Sequence, residues 1–577
     1  MRRYYRLFFS FFLFPFSFPL LHAQQGNWLW ASYGTDGKTD IALSQNMVAT
    51  DNAGNCFYTG FLSDGAIKFG PYTLWNIAPN YYAIFLVKFD PNGSVVWAKQ
   101  SLQNGNAAIG NGYVVSTDAM GNAYIMANFT DTLFFDSYTL TTQPEINNFH
   151  YDVQDNFLVK YDPNGNALWA KQSATPSYHS YAAGNSLATD KKGNSYITGL
   201  FLDTISFGTK ILTQGPTFLV KYDANGNVIW AAQSTGHSAY GSEGDAVAVN
   251  NANGVFIAGK FEDKETFGSF KLSSPLSIGG NTYIVKYDTN GNVLWAKQGV
   301  IPSIESFAIP RGLTADNFGN VYLTGLFRDT VVFAKDTLTS VTNDIFLVKY
   351  DANGNEKWAM TAKILDNNDW GPTSLSTDNN GDIFMAGGGG GQGLCKICFG
   401  TDTLSLIEKT DTDAPSFIVK FDSSGKVLCA SVMPCAGGTW NGVASDPSGN
   451  YVYFGSISNI NAIFDEDTIR TTNGATPFIA RWQECEPTLS INEIKGETEE
   501  VKVYPNPNNG QFTLSLSNVN TTCNVEVYNV LGEQVYQSNI NSDNTKINLS
   551  GQPNGVYLYR VISQEGNLVG EGKIVKQ

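Results

Sequence analysis

The stretch Asp51-Asn-Ala-Gly-Asn-Cys-Phe-Tyr-Thr-Gly60 is the unit of a repeat that runs through most of the chain. It recurs as Asp118-Ala-Met-Gly-Asn-Ala-Tyr-Ile-Met-Ala127 and Asp190-Lys-Lys-Gly-Asn-Ser-Tyr-Ile-Thr-Gly199, and further copies begin at Asn250, Asp316, Asp378 and Asp446. The copies follow one another at nearly regular intervals. Self-similarity of this kind is typical of repeat architectures.

Each repeat predicts strands and tight turns. Gly and Asn tolerate positive φ, so Asp-x-x-Gly-Asn predicts a turn between a short apolar strand and an alternating strand such as Tyr196-Ile-Thr-Gly-Leu-Phe201. Further along each unit, segments such as Phe85-Leu-Val-Lys-Phe-Asp-Pro-Asn-Gly-Ser-Val-Val-Trp97 place a hairpin turn between two more strands. One unit is therefore four antiparallel strands, without helical periodicity.

Four strands to a unit predict the blade of a β-propeller, and a stack of β-solenoid coils is the alternative. Trp28-Leu-Trp-Ala-Ser32 matches the last strand of a unit, and Phe478-Ile-Ala-Arg-Trp482 matches the third strand of another. Joined, the two segments complete a seventh blade. We therefore expect an all-β fold with a seven-bladed β-propeller over residues 25–482, and the repeated patterns resemble the bacterial seven-bladed propeller repeat family. That family implies a fold and not one activity.

Residues 1–24 have the layout of a secretory signal peptide. Arg2, Arg3 and Arg6 form a positive segment, and the run from Leu7 to Leu21 is apolar apart from two serines and two prolines. A membrane anchor is the alternative, but the run is shorter than the ~20 residues that span a bilayer. We expect export, removal of residues 1–24, and a mature chain without a membrane span.

The composition restricts the partners. With 36 Lys and Arg against 52 Asp and Glu, the chain carries a net charge of −16, which disfavours nucleic acid and anionic membrane surfaces. Aromatic residues make up 13%, so there is ample material for a core and no sign of disorder. We expect a monomer.

After the propeller, residues 483–500 are acidic and predict a linker. Residues 501–577 predict a separate small C-terminal β-sandwich (Ig-like) domain. Short motifs stand in order within it, at Tyr504, Pro505, Asn506, Pro507, Gly510, Gly532, Asn554, Gly555 and Tyr557. They resemble the type A C-terminal sorting domain of type IX secretion, whereas a generic β-sandwich would lack this order.

The resemblance implies a partner and a destination. The partner is the type IX secretion machinery, which the C-terminal domain would contact. The destination is the surface of a Gram-negative bacterium or the medium outside it, reached by translocation across the outer membrane.

No cofactor and no metal ion is expected. The clustered Cys395, Cys398, Cys429 and Cys435 could hold zinc, but export and unequal spacing favour disulfides. The repeated Asp residues lack the closing Glu of an EF-hand, so a turn role is favoured over calcium binding.

Two sets of residues form the candidate ligand site at the mouth of the propeller channel. The residue five positions before each repeat start predicts a polar ring, whose members are Asn46, Tyr113, Asn185, Asp245, Arg311, Thr373 and Asn441. Loops on the same face carry Tyr178, His179, Tyr181, His237, Tyr240, Trp370 and Trp440. The aromatic side chains suit stacking on sugars or peptides, and the alternative is that they pack against one another.

The sequence contains no familiar catalytic constellation. No Gly-x-Ser-x-Gly elbow, phosphate loop or His-x-x-x-His spacing is present, and the ring offers Asp245 and little else for proton transfer. We therefore expect a non-enzymatic module that binds a glycan or a protein. A secreted hydrolase or lyase that acts on polysaccharide or peptide at the channel mouth is the alternative, and a structural spacer of the surface layer is a third.

Overall fold

A computed structural model describes most of the chain. The described residues are 27–38, 47–62, 64–76, 82–104, 113–142, 154–175, 181–213, 215–236, 242–250, 254–274, 280–364, 369–390, 395–399, 402–406, 416–433, 442–446, 449, 451–458, 462–464, 467–469, 476–483, 501–516, 523–530, 533–540, 544–563 and 568–577. The predicted signal peptide (1–24) and most of the predicted linker (483–500) lie outside them. The chain divides into two units, Met1–Glu486 and Pro487–Gln577.

Within the described residues of the first unit, every regular element is a strand. The strands of its first half are β1 Asn27–Tyr33, β2 Thr35–Lys38, β3 Val48–Thr50, β4 Cys56–Leu62, β5 Asp64–Phe69, β6 Tyr72–Asn76, β7 Ala83–Phe89, β8 Val95–Gln100, β9 Leu102–Asn104, β10 Val114–Thr117, β11 Ala123–Phe129, β12 Thr132–Phe135, β13 Tyr138–Thr141, β14 Asp155–Tyr161, β15 Ala167–Gln172, β16 Tyr181–Thr189, β17 Ser195–Leu202, β18 Thr204–Phe207, β19 Lys210–Thr213, β20 Thr217–Tyr222, β21 Val228–Gln233 and β22 Thr235–Gly236.

The strands of its second half are β23 Glu243–Val249, β24 Val255–Phe261, β25 Lys264–Phe267, β26 Phe270–Ser273, β27 Asn281–Tyr287, β28 Val293–Gly299, β29 Phe307–Ala315, β30 Val321–Arg328, β31 Thr330–Val332, β32 Thr337–Thr339, β33 Asp344–Tyr350, β34 Glu356–Ile364, β35 Asp369–Thr377, β36 Ile383–Gly390, β37 Cys395–Phe399, β38 Asp402–Leu406, β39 Ser416–Phe421, β40 Val427–Met433, β41 Gly442–Ser445, β42 Tyr451–Ser458, β43 Ala462–Phe464, β44 Asp467–Ile469 and β45 Thr476–Gln483.

These strands repeat one antiparallel arrangement. We number the sheets along the chain, and their strand orders are β3-β4-β7-β8 (sheet 1), β10-β11-β14-β15 (sheet 2), β16-β17-β20-β21 (sheet 3), β23-β24-β27-β28 (sheet 4), β29-β30-β33-β34 (sheet 5, extended by β37-β38), β35-β36-β39-β40 (sheet 6) and β41-β42-β45-β1 (sheet 7). An outer hairpin, such as β12-β13 or β25-β26, follows the second strand of each sheet.

Sheet 7 joins the two ends of the unit. Strand β1 pairs with β45, with Trp28 opposite Trp482 and Tyr33 opposite Phe478. This is the pairing that the sequence predicts between the two segments. It completes sheet 7 with a strand from the opposite end of the unit, which satisfies the backbone groups of both segments.

The first strands of the sheets, which we call the inner strands, lie side by side. Each contacts the inner strand of the next sheet, and β41 contacts β3. Hydroxyl groups at the ends of these strands link neighbours, since Thr117 Oγ1 donates to Thr50 O (2.6 Å) and Thr50 Oγ1 donates to Ser445 O (2.7 Å). The arrangement is propeller-like.

Neighbouring sheets are linked through a backbone carbonyl group, which lies in a hairpin turn of one sheet and accepts two hydrogen bonds from the sheet before it. Trp169 Nε1 and Lys160 Nζ of sheet 2 both donate to Ala224 O, in the hairpin turn of sheet 3, at 3.1 and 3.2 Å. Equivalent donor pairs and acceptors are Trp97 and Lys88 on Pro163, Trp230 and Lys221 on Thr289, Trp295 and Lys286 on Ala352, Trp358 and Lys349 on Ser423, and Trp30 and Arg481 on Pro91. In sheet 6, Cys429 stands in the Trp position and is disulfide-bonded.

The second unit contains two sheets around its own core. Its strands are β46 Lys502–Tyr504, β47 Gln511–Ser515, β48 Cys523–Asn529, β49 Gln534–Ile540, β50 Asn544–Asn548, β51 Gly555–Ser563 and β52 Leu568–Lys576. They form the sheets β46-β47-β50 and β49-β48-β51-β52. Leu514, Val525, Val561 and Ile574 come from both sheets and are buried in one cluster.

We predict that replacing the glycine next to each of these hydrogen-bonded tryptophans destabilises the protein. Gly226 has φ +79°, and a Cβ there would lie 2.9 Å from an indole carbon of Trp169. Gly208 has φ +58° with nothing within 4 Å, so Gly208→Ala strains the backbone alone. We expect Gly208→Ala to cost about 1 kcal/mol and Gly226→Ala about 2 kcal/mol more, measured by calorimetry of the full chain. Equal losses would show that the indole contact contributes nothing.

Candidate functional site

The predicted ring positions of four sheets coincide with β-bulges. The register of the inner strand shifts between Gly184 and Ser186, between Gly244 and Ala246, between Pro310 and Gly312, and between Pro372 and Ser374. The residue skipped in each case is Asn185, Asp245, Arg311 or Thr373. A bulge leaves one residue outside the ladder and re-aims its side chain, and bulges are frequent beside active sites.

Two of these bulge residues act on the bulge of sheet 4 from the adjacent sheets. Asn185 Nδ2 of sheet 3 donates to Gly244 O of sheet 4 at 3.1 Å. The positive charge of Arg311, in sheet 5, lowers the pKa of Asp245. The bulges of sheets 3, 4 and 5 therefore bring an amide, a carboxyl and a guanidinium group together.

Asp245 is the unusual carboxyl of this group. Its Oδ2 is shielded from solvent and has no hydrogen-bond partner among the described residues. Burial raises its pKa well above the usual value, the Glu243 carboxylate raises it further, and the charges of Lys260 and Arg311 oppose the rise. Because burial outweighs the two cations, Asp245 holds a proton at higher pH than an ordinary aspartate.

Two more charged residues lie beside Asp245. Lys260 Nζ and Glu243 Oε1 form an ion pair at 2.7 Å, between the directly paired positions of β23 and β24. Burial lowers the pKa of Lys260, but the hydrogen bond to Glu243 and the charges of Glu243 and Asp245 together outweigh it, and the pKa rises. Tyr181 of sheet 3 is 41% exposed, and burial followed by the charge of Glu243 raises the pKa of its phenol.

The Glu243–Lys260 pair is specific to sheet 4. The equivalent cross-strand pairs are Ala183–Leu200 in sheet 3 and Ile309–Leu326 in sheet 5. Tyr283 also departs from the repeat, because it faces Gly259 where Phe faces the equivalent Gly in other sheets. Its Oη donates to Glu243 O at 2.9 Å.

A third departure is a carboxyl group in the outer hairpin of sheet 4. In six outer hairpins, one fully buried residue pairs with a Leu of the opposite strand. These residues are Ile67, Leu133, Ile205, Glu265, Val331 and Ile397, each 0% exposed. Burial raises the pKa of Glu265 to about 7, although hydroxyl groups of Ser234, Ser242 and Thr217 lower it.

Sequence reasoning missed Glu243, Lys260 and Glu265, which an alignment of the repeats would have revealed as charges at apolar positions.

The other predicted site residues are placed as follows. Tyr113 is buried and stacks on Phe61, with ring centroids 5.0 Å apart, so it belongs to the core rather than to the bulge group. The backbone of Trp370 lies at the start of β35. Outside the described residues are Asn46, Tyr178, His179, His237, Tyr240, Trp440 and Asn441.

Residues of the predicted sorting motif make hydrogen bonds within the second unit. Asn506 accepts a hydrogen bond from Val575 N and donates to Lys573 O, each at 2.8 Å. Tyr557 Oη donates to Pro553 O at 2.6 Å, and Tyr504 Oη donates to Asn544 Oδ1 at 3.0 Å. The remaining members are Pro505 and Pro507, which flank Asn506, Gly510 with φ +97°, Asn554 just before β51, Gly555 as the first residue of β51, and Gly532 outside the described residues.

The family comparison decides the role of this unit. Residues 502–577 match the model of the secretion system C-terminal sorting domain. These residues are a sorting domain. The chain is therefore exported by type IX secretion and is secreted or located at the cell surface. Tyr504, Asn506 and Tyr557 belong to the motifs on which the sequence predicted it.

Two curated relatives match parts of the chain. An uncharacterized WD repeat-containing protein of Acanthamoeba polyphaga mimivirus is 25% identical over 402 residues, which is 58% of this chain and 28% of the relative. An endo-acting ulvan lyase of Formosa agariphila is 36% identical over 90 residues, which is 15% of this chain and 17% of the relative. The chain thus spans less than a third of the length of either relative.

Several solved structures are similar to this chain at low identity. A protein of unknown function from Dyadobacter fermentans has 9% identity and a TM-score of 0.36, over 66% of this chain and 96% of that one. An ulvan lyase from a polysaccharide lyase family has 8% identity and a TM-score of 0.36, over 76% and 92%. A leech intramolecular trans-sialidase has 8% identity and a TM-score of 0.32, over 74% and 67%.

The expectation of a protein without enzymatic activity is wrong. One relative, the ulvan lyase of Formosa agariphila, is an enzyme. That expectation relied on the absence of a familiar motif. Motifs report sites whose residues have a fixed spacing along the chain, whereas neighbouring sheets can assemble a site from residues far apart in sequence, as Asn185 and Asp245 show.

Two features are absent from the residues that the structure describes. No group of three or more His, Cys, Asp or Glu side chains there has the geometry to hold a metal ion. No helix of membrane-spanning length and hydropathy occurs in that part of the chain.

We predict that Glu265→Gln stabilises the protein in a defined pH range. The pKa of Glu265 is about 7 when folded, against an ordinary value of 4.5. The unfolded chain therefore loses this proton first, and the stability of the natural protein falls between pH 4.5 and about 7. We expect Glu265→Gln to be about 3 kcal/mol more stable than the natural protein above that range and equally stable below it.

Denaturant unfolding at a series of pH values checks this expectation. Asp155→Asn is the matched control, because burial raises the pKa of that carboxyl too, to about 6, and its gain should appear at lower pH. A constant difference between Glu265→Gln and the natural protein at every pH would contradict the raised pKa.

Proposed function

We propose that this protein is a secreted enzyme that cleaves a polysaccharide at the site formed by the bulges of sheets 3, 4 and 5. The observation that carries the proposal is Asp245, whose shielded Oδ2 has no hydrogen-bond partner among the described residues. A buried acceptor without a partner costs stability, so its retention beside three other charged groups favours a role in chemistry. The proposal adopts the alternative that the sequence left open.

The group supplies a general acid and a cation for the cleavage of a glycosidic bond. Asp245, with its raised pKa, is a proton donor for the oxygen of a glycosidic bond. The guanidinium of Arg311 supplies a positive charge for a carboxylate or sulfate of the sugar. Glu243 and Lys260 fix the edge of the site through their ion pair. Tyr181, exposed on the neighbouring sheet, presents an aromatic face for a sugar ring.

The ulvan lyase relative supports the substrate class, because it acts on a polysaccharide. That match covers 15% of this chain, so the assignment of the reaction relies on the site itself. In this proposal the predicted ligand residues Tyr178, His179, His237, Tyr240 and Trp370 also take part in binding the sugar chain.

We also propose that the seven sheets are the blades of one closed propeller, as the bacterial propeller repeat family implies. Two observations support closure: β1 completes sheet 7, and the inner strands β41 and β3 are in contact. The site would then lie at one mouth of the central channel, at the ends of the inner strands that carry the bulges. Residues 1–24 act as the signal peptide and residues 483–500 as the linker in this proposal.

We predict turnover of a polysaccharide by the full-length protein, and its loss in Asp245→Asn. A panel of neutral, uronate-containing and sulfated polysaccharides would be assayed for new reducing ends and for the ultraviolet absorbance of unsaturated lyase products. General acid–base catalysis contributes about 10²–10⁴-fold, so we expect kcat to fall by about 10² or more in Asp245→Asn.

Asp155→Asn serves as the control, because it removes a buried carboxyl of sheet 2 that accepts hydrogen bonds from Thr175. Full activity in Asp245→Asn, or no turnover of any polysaccharide in the panel, would contradict the proposed function.

We predict that residues 501–577 are needed for delivery and not for folding of the first unit. A chain that ends at Gln483 should fold with the same melting temperature as the first unit of the full chain, because the predicted linker has little apolar sequence to share a core. In a host with type IX machinery it should collect in the periplasm. A reporter fused to residues 484–577 is the control and should reach the outside. Surface delivery of the truncated chain would overturn this role.

A further inference from the structure

We propose that Glu265 is a positioning residue, which acts through Thr217 and Tyr283 to hold the Glu243–Asp245 segment in place. The inference deepens the proposed function, on which it rests for the substrate that this segment would meet. Glu265 does not touch the site itself. It lies in the outer hairpin of sheet 4, against the neighbouring sheet 3, as its contact with Thr217 shows.

A continuous set of polar contacts joins Glu265 to the site. Thr217 Oγ1 lies 2.9 Å from Glu265 Oε1. The same hydroxyl lies 3.3 Å from Tyr283 Oη, which is in turn 2.9 Å from Glu243 O. Three contacts therefore lead from a buried carboxyl to the backbone just before Asp245.

The contacts involve residue types that the repeat does not need. The equivalents of Glu265 are Ile, Leu or Val, and those of Tyr283 are Phe. Placing a carboxyl and a phenol in this core costs desolvation that the aliphatic residues avoid. Departures from a local rule without a local gain mark functional or strained positions. Here both departures lie on the path that ends at the Glu243 carbonyl.

A count of hydrogens shows what Glu265 contributes. The three contacts need three hydrogens, but Thr217 and Tyr283 supply two. An ionised Glu265 can only accept, so one contact then lacks its hydrogen. A protonated Glu265 donates to Thr217, which donates to Tyr283, which donates to Glu243 O, and every contact is complete. The neutral carboxyl is therefore the form that holds the segment.

The surroundings favour that neutral form near pH 7. Burial raises the pKa of Glu265 to about 7 against the effect of the hydroxyl groups of Ser234, Ser242 and Thr217. The ionisable groups that face it are the phenols of Tyr283 and Tyr287, whose own pKa values are raised by burial and by the Glu265 charge. Asp245 acts on Tyr283 from the other side.

Amide hydrogen exchange of the full-length protein tests the inference without any substrate. Peptides that span residues 242–250 would be followed at about pH 6 and about pH 8, on either side of the titration, after correction for the intrinsic exchange rate. In the natural protein we expect protection to fall about tenfold at the higher pH, the worth of one hydrogen bond. Glu265→Gln, whose amide always donates, should stay protected at both pH values.

Two variants complete the design. Tyr283→Phe, which restores the residue of the other sheets, cuts the path and should remove protection at both pH values. Asp155→Asn neutralises a buried carboxyl that is not on the path, and it should behave as the natural protein does. If Glu265→Gln loses protection at the higher pH as the natural protein does, or if the natural protein shows no loss there, the positioning role is overturned. Because no turnover is measured, a failed activity screen would leave this result unaffected and would sink the proposed function alone.

Discussion

The structure depends on one carbonyl group in the turn between the third and fourth strands of sheets 1 to 6, which accepts hydrogen bonds from a tryptophan and a basic residue of the preceding sheet. The acceptor belongs to a turn whose Gly has positive φ, so the indole can lie flat over the backbone where any side chain would collide. The lysine also lies over an aromatic ring of its own sheet, as Lys160 does over Tyr124 with 4.9 Å to the ring centroid. Each sheet is thereby fixed to its neighbour by direct polar contacts as well as by the apolar core between them.

The same interaction links sheet 7 to sheet 1, with Arg481 in the place of the lysine. Trp30 and Arg481 of sheet 7 donate to Pro91 O of sheet 1, and Trp30 comes from the strand that the start of the chain contributes. Strand β1 therefore supplies both the strand that pairs with β45 and the Trp30 side chain that is hydrogen-bonded to sheet 1. Sheet 6 is the exception, since Cys429 occupies the tryptophan position and is disulfide-bonded.

This regularity makes the departures in sheet 4 meaningful. Five outer hairpins bury an aliphatic side chain where the sixth buries Glu265, and flanking sheets have apolar pairs where sheet 4 has Glu243 and Lys260. Because the other sheets have apolar residues at these positions, the fold gains no stability from the charged residues of sheet 4. Glu243 and Lys260 instead act on Asp245, which stands at a bulge and is also influenced by the charge of Arg311. Sheets that carry the repeat unchanged provide the rigid frame on which one altered sheet presents a site.

The sequence by itself determined the all-β fold, the sheet unit, the pairing of residues 28–32 with 478–482, and the sorting domain. Each of these follows from local patterns, such as turn residues and alternating strands, which repeat often enough to be read along the chain. It also determined that Asn185, Asp245 and Arg311 are equivalent, because they hold the same place in the repeat. Only the tertiary structure decided that these positions are bulges, that Lys260 and Glu243 act on Asp245, and that Glu265 is linked to Glu243 through Thr217 and Tyr283. Burial and charge depend on neighbours in space, and here those neighbours come from separate repeats of the chain, which no local pattern brings together.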